Sequence, residues 1–501
     1  MIILDNTIHW LEEQKKLLPS KAAIITEDSS LSYSEIWNEC LCACNYFDQA
    51  GIQQKDHVGI LFGHNYKFFI IVNALWMIGA VPVPLNTRNT KHEVECQLHQ
   101  ADIKHLIIDE NISGFYSVLN FHNKIQISKT SSFGAFKKRI EILNSPTCLP
   151  AGRFSILNSS LIMFTSGSSG SAKAVVHNFK SLFESVNNMD SFANLGSSDV
   201  WLASLPFYHI GGFMILVRAL ISGGTIAIPN SLKHEDITKA LTIFNPTHIS
   251  IVSTMLGRFL NNEFVPSANL KFVFLGGGPA SSAICLQAID KGWPIAKVYG
   301  STETCSMVAV LHPTEVKQQP DSAGKIFGSN KIMVRHTSSD ESDKSCSVGE
   351  IGEIVVSSQS LFKEYYDDQL TTERVYRNGW HRTGDFGWLD EEGFLFISSR
   401  REDLIISGGE NVSALEVENL IKTLDRIEDA FVFAIRDETW GQTVCAAIVS
   451  NEVSESGIIN FLREKIAGFK IPKQFFFLDL IPRNEMGKVN RVELLKRLNL
   501  D

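Results

Sequence analysis

Two rhythms of apolar residues run along the N-terminal half of the chain. In Tyr33–Gln49 and in 66–78 they return every three or four positions, the interval that gives a helix one buried face. The stretch 8–18 is amphipathic in the same way. Between these lie short apolar runs of strand length, 57–62, 104–108 and 225–228. Strands alternating with helices predict an α/β fold, with helices packed on mainly parallel sheets. No repeat of solenoid period interrupts the pattern.

Of two polar stretches, 128–132 and 336–347, the second reads as a solvated loop and neither as a domain linker, because strand-like sequence resumes soon after each. A sharper change comes where the apolar run 394–397 ends in the charged cluster Arg400, Arg401, Glu402 and Asp403. Beyond it, Ser413 and Glu416 have the spacing of a capping box that would open a helix to about Leu424, and 430–435 and 444–449 read as strands. The expected division is therefore a large domain over 1–398, a hinge at 399–404, and a small mobile α+β domain over 405–501.

Composition narrows the class without naming a function. The chain has 501 residues, 44% hydrophobic and 20% charged, too long for one core and ordinary for a soluble globular protein of two or three domains. Net charge is −9 and no dense Lys/Arg stripe appears, so a nucleic-acid partner is not expected. Nine scattered cysteines, with Cys40, Cys42 and Cys44 two apart, fit reduced thiols in a cytoplasmic protein rather than a metal knot. The first twenty residues lack a basic start and an apolar core, which argues against a signal peptide. The longest apolar stretch, 210–228, is cut by Arg218, Gly211, Gly212, Gly223 and Gly224, so no membrane anchor is expected. The sequence leaves open whether the chain forms a homo-oligomer.

The chemistry begins at LIMFTSGSSGSAKAVVHN, 161–178: an apolar strand, then a loop of glycines and hydroxyls with one lysine. Such a loop lets backbone N–H groups crowd around phosphate oxygens while Lys173 supplies charge. It is not a Walker A loop, since Ser171 and Ala172 separate Gly170 from the lysine, and GGGP at 276–279 does not satisfy the dinucleotide pattern. Alone, it is as readily a surface turn. Four later motifs change that: YGSTET at 299–304, RTGDFGWLDEEGF at 382–394, ISGGEN at 406–411 after the charged junction, and PRNEMGKVNR at 482–491. Five motifs in this order resemble the adenylate-forming superfamily of acyl-CoA synthetases, luciferases and peptide-synthetase adenylation domains, over nearly the whole chain. Within it, 204–220, 299–308 and 403–412 are similar to o-succinylbenzoate:CoA ligases of menaquinone synthesis.

The resemblance implies a large N-terminal domain with a small barrel-like part, a mobile C-terminal domain, and ATP, Mg²⁺ and coenzyme A as cosubstrates. It implies that Thr165, Ser166, Gly167, Ser168, Ser169, Gly170 and Lys173 hold the outer phosphates. Thr302 would meet the α-phosphate and Glu303 would hold Mg²⁺, a hard cation suited to a carboxylate. Tyr299 would face adenine, with Gly300, Gly276, Gly277, Gly278 and Pro279 along the pocket wall and adenine edge. Asp385 would take the ribose hydroxyls, joined by Arg400. Lys488 would reach the α-phosphate and the substrate carboxylate. Gly408 and Gly409 would approach the thiol tunnel. The hinge falls on Glu402, where relatives more often have Asp or Lys, and Ser399 stands where many have Asp or Gly.

Each residue also has a plainer reading. Tyr299 fits a core tyrosine, Glu303 a loop carboxylate, Arg400 a surface ion pair, Lys488 a solvated lysine, and Gly408 and Gly409 a simple turn. His209, in PFYHIGG, either gates the substrate carboxylate or is a structural histidine. Arg218 is a cation inside an apolar helix-like run; it either snorkels to the surface or pairs with a second carboxylate on the acid. Rival functions are loading of a carrier protein, which would be expected as a separate partner, a luciferase-like oxidase, and a non-catalytic nucleotide-binding protein. The last would be expected to lack Lys488, Glu303 or Asp385, and all three are present.

Overall fold

The helix Tyr33–Gln49 begins where Ser32 caps it: the Ser32 hydroxyl accepts from Glu35 N, and the Glu35 carboxylate accepts from Ser32 N at 2.8 Å. This complete capping box is one that the pattern of apolar residues did not single out. The helix packs on Lys67–Ile78, which is buried along its whole length. The computed structural model describes residues 9–89, 91–113, 121, 123–128, 155–165, 173–278, 280–336, 344–400, 404–407, 410–437, 441–450, 452–466, 468–484 and 487–500.

Alternating strands and helices build two parallel sheets, as the periodicity predicts. One has the order Val81–Pro84, His57–Leu61, Ile103–Asp109, Lys124–Ile127, every pair parallel. The other runs Ala22–Ile25, Thr225–Ala227, Val200–Leu202, His248–Ile251, Phe272–Leu275, Ile295–Ser301, again parallel throughout. Its strands are mostly buried, although His248, Ser250 and Lys297 put polar side chains among their apolar residues.

At Ile295–Ser301 the hand of pairing changes. The chain turns back at once as Ser306–Leu311, antiparallel, and the sheet continues through Gly324–Ile326, Phe394–Arg400, Trp380–Leu389, Gly352–Ser357 and Lys331–Arg335. The tight turn explains the continuity, since a hairpin carries the hydrogen-bond ladder directly across. The part expected to be barrel-like is this antiparallel arm, and among the described residues no closed barrel forms. The turn also brings Thr302 and Glu303 to the C-terminal edge of the parallel strands, where open α/β sheets bind ligands.

A third sheet places Ser159–Phe164 antiparallel to Ala174–Asn178, with the short strand Glu364–Tyr365 on the other side of Ala174–Asn178. From Leu404 onward a separate sheet forms: Glu410–Ser413, Leu404–Ser407, Gly441–Val449 and Asp429–Asp437, with Gln474–Phe477 parallel to Gly441–Val449. It has its own buried core around Val417, Ile421, Val432, Ala446 and Leu462. The helix expected to reach Leu424 spans Ala414–Ile421, and Glu416 pairs with Lys470 at 2.7 Å.

Three buried histidines give this fold an acid-sensitive stability. Burial lowers the pKa of His9 to about 3 and those of His177 and His248 to about 4. Folded pKa values below the ordinary 6.5 mean that the unfolded chain binds more protons between those limits. Stability is therefore fully present above 6.5 and lost as pH falls toward 4, by up to about 1.4 kcal/mol per pH unit per group. Glu303 and Glu353 lie below their ordinary 4.5, so their losses come at lower pH. The midpoint of urea unfolding should fall between pH 7 and pH 5; a flat midpoint would show that these imidazoles are not held neutral.

Candidate active site

The glycine- and serine-rich loop is pinched at its base. Thr165 N donates to Lys173 O at 3.0 Å and Lys173 N donates to the Thr165 hydroxyl at 3.2 Å, so the strand pair closes as a hairpin. Ser166, Gly167, Ser168, Ser169 and Gly170 lie outside the described residues. The Lys173 ammonium stands 5.0 Å from the centre of the Tyr365 ring. No motif pointed to Tyr365. It is buried, and its hydroxyl donates to Glu303 Oε1 at 2.9 Å.

Thr302 and Glu303 occupy the turn between the last parallel strand and the first antiparallel one. Ser301 N donates to the Thr304 hydroxyl at 2.8 Å, and Cys305 and Ser306 follow with φ of 56° and 90°. Two consecutive non-glycine residues in the left-handed region store strain that surrounding contacts must hold. Two hydrogen bonds reach this turn. His177 Nε2 donates to Thr302 O at 2.9 Å, and Arg218 Nη2 donates to the Ser306 hydroxyl at 2.8 Å. His177 was missed, although it sits in the quoted loop motif four residues after Lys173. Gly300 is required, since a Cβ there would lie 1.9 Å from Ser306 O. Burial alone would push the Glu303 carboxyl up. The His381 charge and hydrogen bonds from its own N–H, Tyr365 and Ser301 outweigh that and hold it below the ordinary value. It is an anion at neutral pH, and a carboxylate is a hard oxygen ligand of the kind a divalent cation takes.

Tyr299 is partly buried. Its ring is packed against Val308 and Leu361, and its hydroxyl donates to Asp385 Oδ2 at 2.7 Å. Arg400 is the direct register partner of Asp385 on the neighbouring strand. The structure thus brings Tyr299, Asp385 and Arg400 together from three stretches of sequence. Gly276 and Gly278 stand on the segment just after Phe272–Leu275; a Cβ at Gly276 would meet Val298 Cγ2 at 2.5 Å, and Gly277 has φ of 79°. Pro279, Gly408 and Gly409 lie outside the described residues.

His209 is the N-cap residue of Ile210–Ser222, its ring 4.8 Å from that of Tyr208. Its pKa is lowered to about 4, first by burial and then by the charge of Lys488. Residues 279 positions apart are therefore close in space. The Lys488 loop is held by Lys488 N donating to Asn484 Oδ1 at 2.9 Å and by Arg483 paired with Asp429 at 2.8 Å. A Cβ on Gly487 would lie 3.3 Å from Thr254, so this loop rests on the large domain.

Arg218 does not snorkel. It is 1% exposed, because the helix carrying it is covered on every side and offers no route to solvent. Its guanidinium lies 5.7 Å from the Trp201 ring, which stacks on His248 at 4.4 Å. Burial lowers its pKa to about 10, so it remains charged. Arg218 Nε and Nη1, Trp201 Nε1, His248 Nε2 and Ser250 Oγ are buried with no hydrogen-bond partner among the described residues. Buried polar atoms without partners are uncommon in a packed interior.

The AMP-binding enzyme family model matches residues 11–366, and the model of the AMP-binding enzyme C-terminal domain matches 416–488. A 2-succinylbenzoate–CoA ligase of Bacillus mycoides (strain KBAB4) is 31% identical over 497 residues, covering 98% of this chain and 99% of that protein. The o-succinylbenzoate CoA synthetase of Bacillus subtilis in complex with its acyl-adenylate intermediate superposes with a TM-score of 0.86 at 29% identity, covering 97% of each chain. The same enzyme with ATP and a magnesium ion gives 0.85, covering 97% of this chain and 99% of that one. The chain therefore belongs to the AMP-binding, adenylate-forming enzyme family, and is similar over almost its whole length to 2-succinylbenzoate–CoA ligases.

Proposed function

We propose that this chain is an ATP-dependent acid:CoA ligase whose acid is o-succinylbenzoate. A carboxylate is a poor electrophile, so the acid first attacks the α-phosphate of ATP. Pyrophosphate leaves and an acyl-adenylate remains. The thiolate of coenzyme A then attacks the acyl carbonyl, and AMP leaves as the thioester forms. Both steps need stabilisation of charge on phosphoryl and acyl oxygens more than they need strong acids or bases.

Lys173 and the loop base at Thr165 receive the outer phosphates. Thr302 and Lys488 address the α-phosphate, with neutral His209 beside the substrate carboxylate. Asp385 accepts from the ribose hydroxyls with Arg400 opposite it, and Tyr299 holds Asp385 while flanking adenine. Glu303 would hold Mg²⁺, which when bound neutralises phosphate charge. The proximity of Lys488 to His209 supports an arrangement suited to the first half-reaction. Rotation of 405–501 about 399–404, with Glu402 at the pivot, would then bring Gly408 and Gly409 toward the thiol. The eight described cysteines are free thiols, which supports a reducing compartment such as the cytoplasm. No helix among the described residues is long and apolar enough to cross a membrane.

The observation that carries the choice of acid is Arg218. A fully buried cation with two orphaned donors, beside further orphans on Trp201, His248 and Ser250, fits an anionic group brought in by a substrate. o-Succinylbenzoate keeps one carboxylate after the other is adenylated. The test is ATP- and CoA-dependent AMP release with o-succinylbenzoate, aryl monoacids and short fatty acids. Turnover of the diacid at least tenfold above the rest is expected. Activity with fatty acids alone, or with a carrier protein but not free CoA, would refute the assignment.

A further inference from the structure

We infer that Tyr365 is a positioning residue that fixes Lys173 and Glu303 relative to one another, and so sets the Mg²⁺ dependence of ATP binding. The inference rests on the reading of this chain as an ATP-dependent ligase, but not on the identity of its acid.

Lys173 and Glu303 lie 130 positions apart, one at the base of the phosphate loop and one in the turn after the last parallel strand, yet both approach one side chain. The Tyr365 hydroxyl donates to Glu303 Oε1 at 2.9 Å, and the Lys173 ammonium lies 5.0 Å from its ring centre. With Oε1 held by the phenol, the other carboxylate oxygen would be the one to serve a cation.

The backbone around Tyr365 makes the same connection. Phe362 N donates to Glu303 O at 2.8 Å, while Lys363 N donates to Val176 O and Tyr366 N to Ala174 O, each at 2.8 Å. Glu364 and Tyr365 pair in register with Val176 and Val175, on the strand that leaves the phosphate loop. The segment 362–366 is thus fastened at one point to the Glu303 turn and at two to the loop's outgoing strand. Tyr365 is 4% exposed, and its ring is 4.9 Å from that of Phe362, which locks its rotamer. A phenol so confined has little freedom to leave Glu303.

Two substitutions separate its functions. Tyr365→Phe removes the hydroxyl and keeps the ring beneath Lys173; Tyr365→Leu removes both. Calorimetric titration of the full chain with ATP, at a series of Mg²⁺ concentrations and with chelator, needs no acid and no turnover. For Tyr365→Phe the Mg²⁺ concentration giving half-maximal ATP affinity should rise about tenfold, as expected for loss of a hydrogen bond to a charged group. Its affinity for ATP in chelator should stay within about twofold of the parent chain. Tyr365→Leu should weaken binding in chelator as well, by roughly three- to fivefold, as the cation loses its ring. Circular dichroism confirms folding, and if the leucine variant does not fold, the phenylalanine variant decides alone. Parent-like Mg²⁺ dependence in Tyr365→Phe would overturn the inference. Equal loss with and without Mg²⁺ would also overturn it, since it would mark the tyrosine as mere scaffolding. Failure of the parent chain to bind ATP at all would instead refute the ligase reading beneath it.

Discussion

Replacing Lys488 by alanine should lower acid-dependent pyrophosphate exchange by roughly a hundred- to a thousandfold, the scale of removing one fixed donor from a developing oxyanion. Thioester formation from preformed acyl-adenylate should survive nearly intact. The contrast follows from where the charge develops. In the first half-reaction the α-phosphate gains negative charge that a cation at this loop tip can stabilise. In the second the phosphate is a leaving group, and with the proposed rotation of 405–501 the loop would have turned away. Lys488 is near enough to His209 for its charge to depress that imidazole, which puts it at the large domain rather than in bulk solvent. The substitution should not damage the fold, because the loop is held by Arg483 on Asp429 and by the Asn484 contacts, none of which uses the lysine ammonium. Equal losses in both half-reactions would remove Lys488 from adenylation.

The parts of this molecule legible in sequence are those governed by local order. Helical spacing located Tyr33–Gln49 to the residue, and the apolar runs fell on the parallel strands His57–Leu61 and Ile103–Asp109. Motifs whose residues are neighbours, such as Thr302 with Glu303, were equally visible. What sequence did not disclose is held by contacts across the fold. Tyr365 sits in a stretch, LFKEYYDDQ, with no feature to separate it from its neighbour Tyr366. Only strand pairing with Val175 turns one of the two toward Glu303. The joining of Tyr299 to Asp385 likewise spans 86 positions.

Arg218 shows the same limit and leads to the second large effect. Exchange of Arg218 for methionine should raise the KM for o-succinylbenzoate by roughly a hundredfold or more, since truncating one partner of a buried charge pair costs about 2–5 kcal/mol. For a monoacid analogue lacking the second carboxylate, KM should change by less than about threefold. Stability should move the other way. In the ligand-free chain Arg218 is a buried cation with one hydrogen bond, to Ser306, and two orphaned nitrogens. Replacing such a group by an apolar side chain of similar length is often stabilising by about 1–4 kcal/mol. The unfolding midpoint of Arg218→Met should therefore rise, as happens where a site sacrifices stability for binding. A structural strut gives the opposite signature. If the chief task of Arg218 is to brace the strained turn at Cys305 and Ser306, methionine will lower the midpoint and slow both acids alike, because Thr302 and Glu303 sit on that turn. Measuring KM for the two acids alongside the melting midpoint distinguishes an anion receptor from a brace.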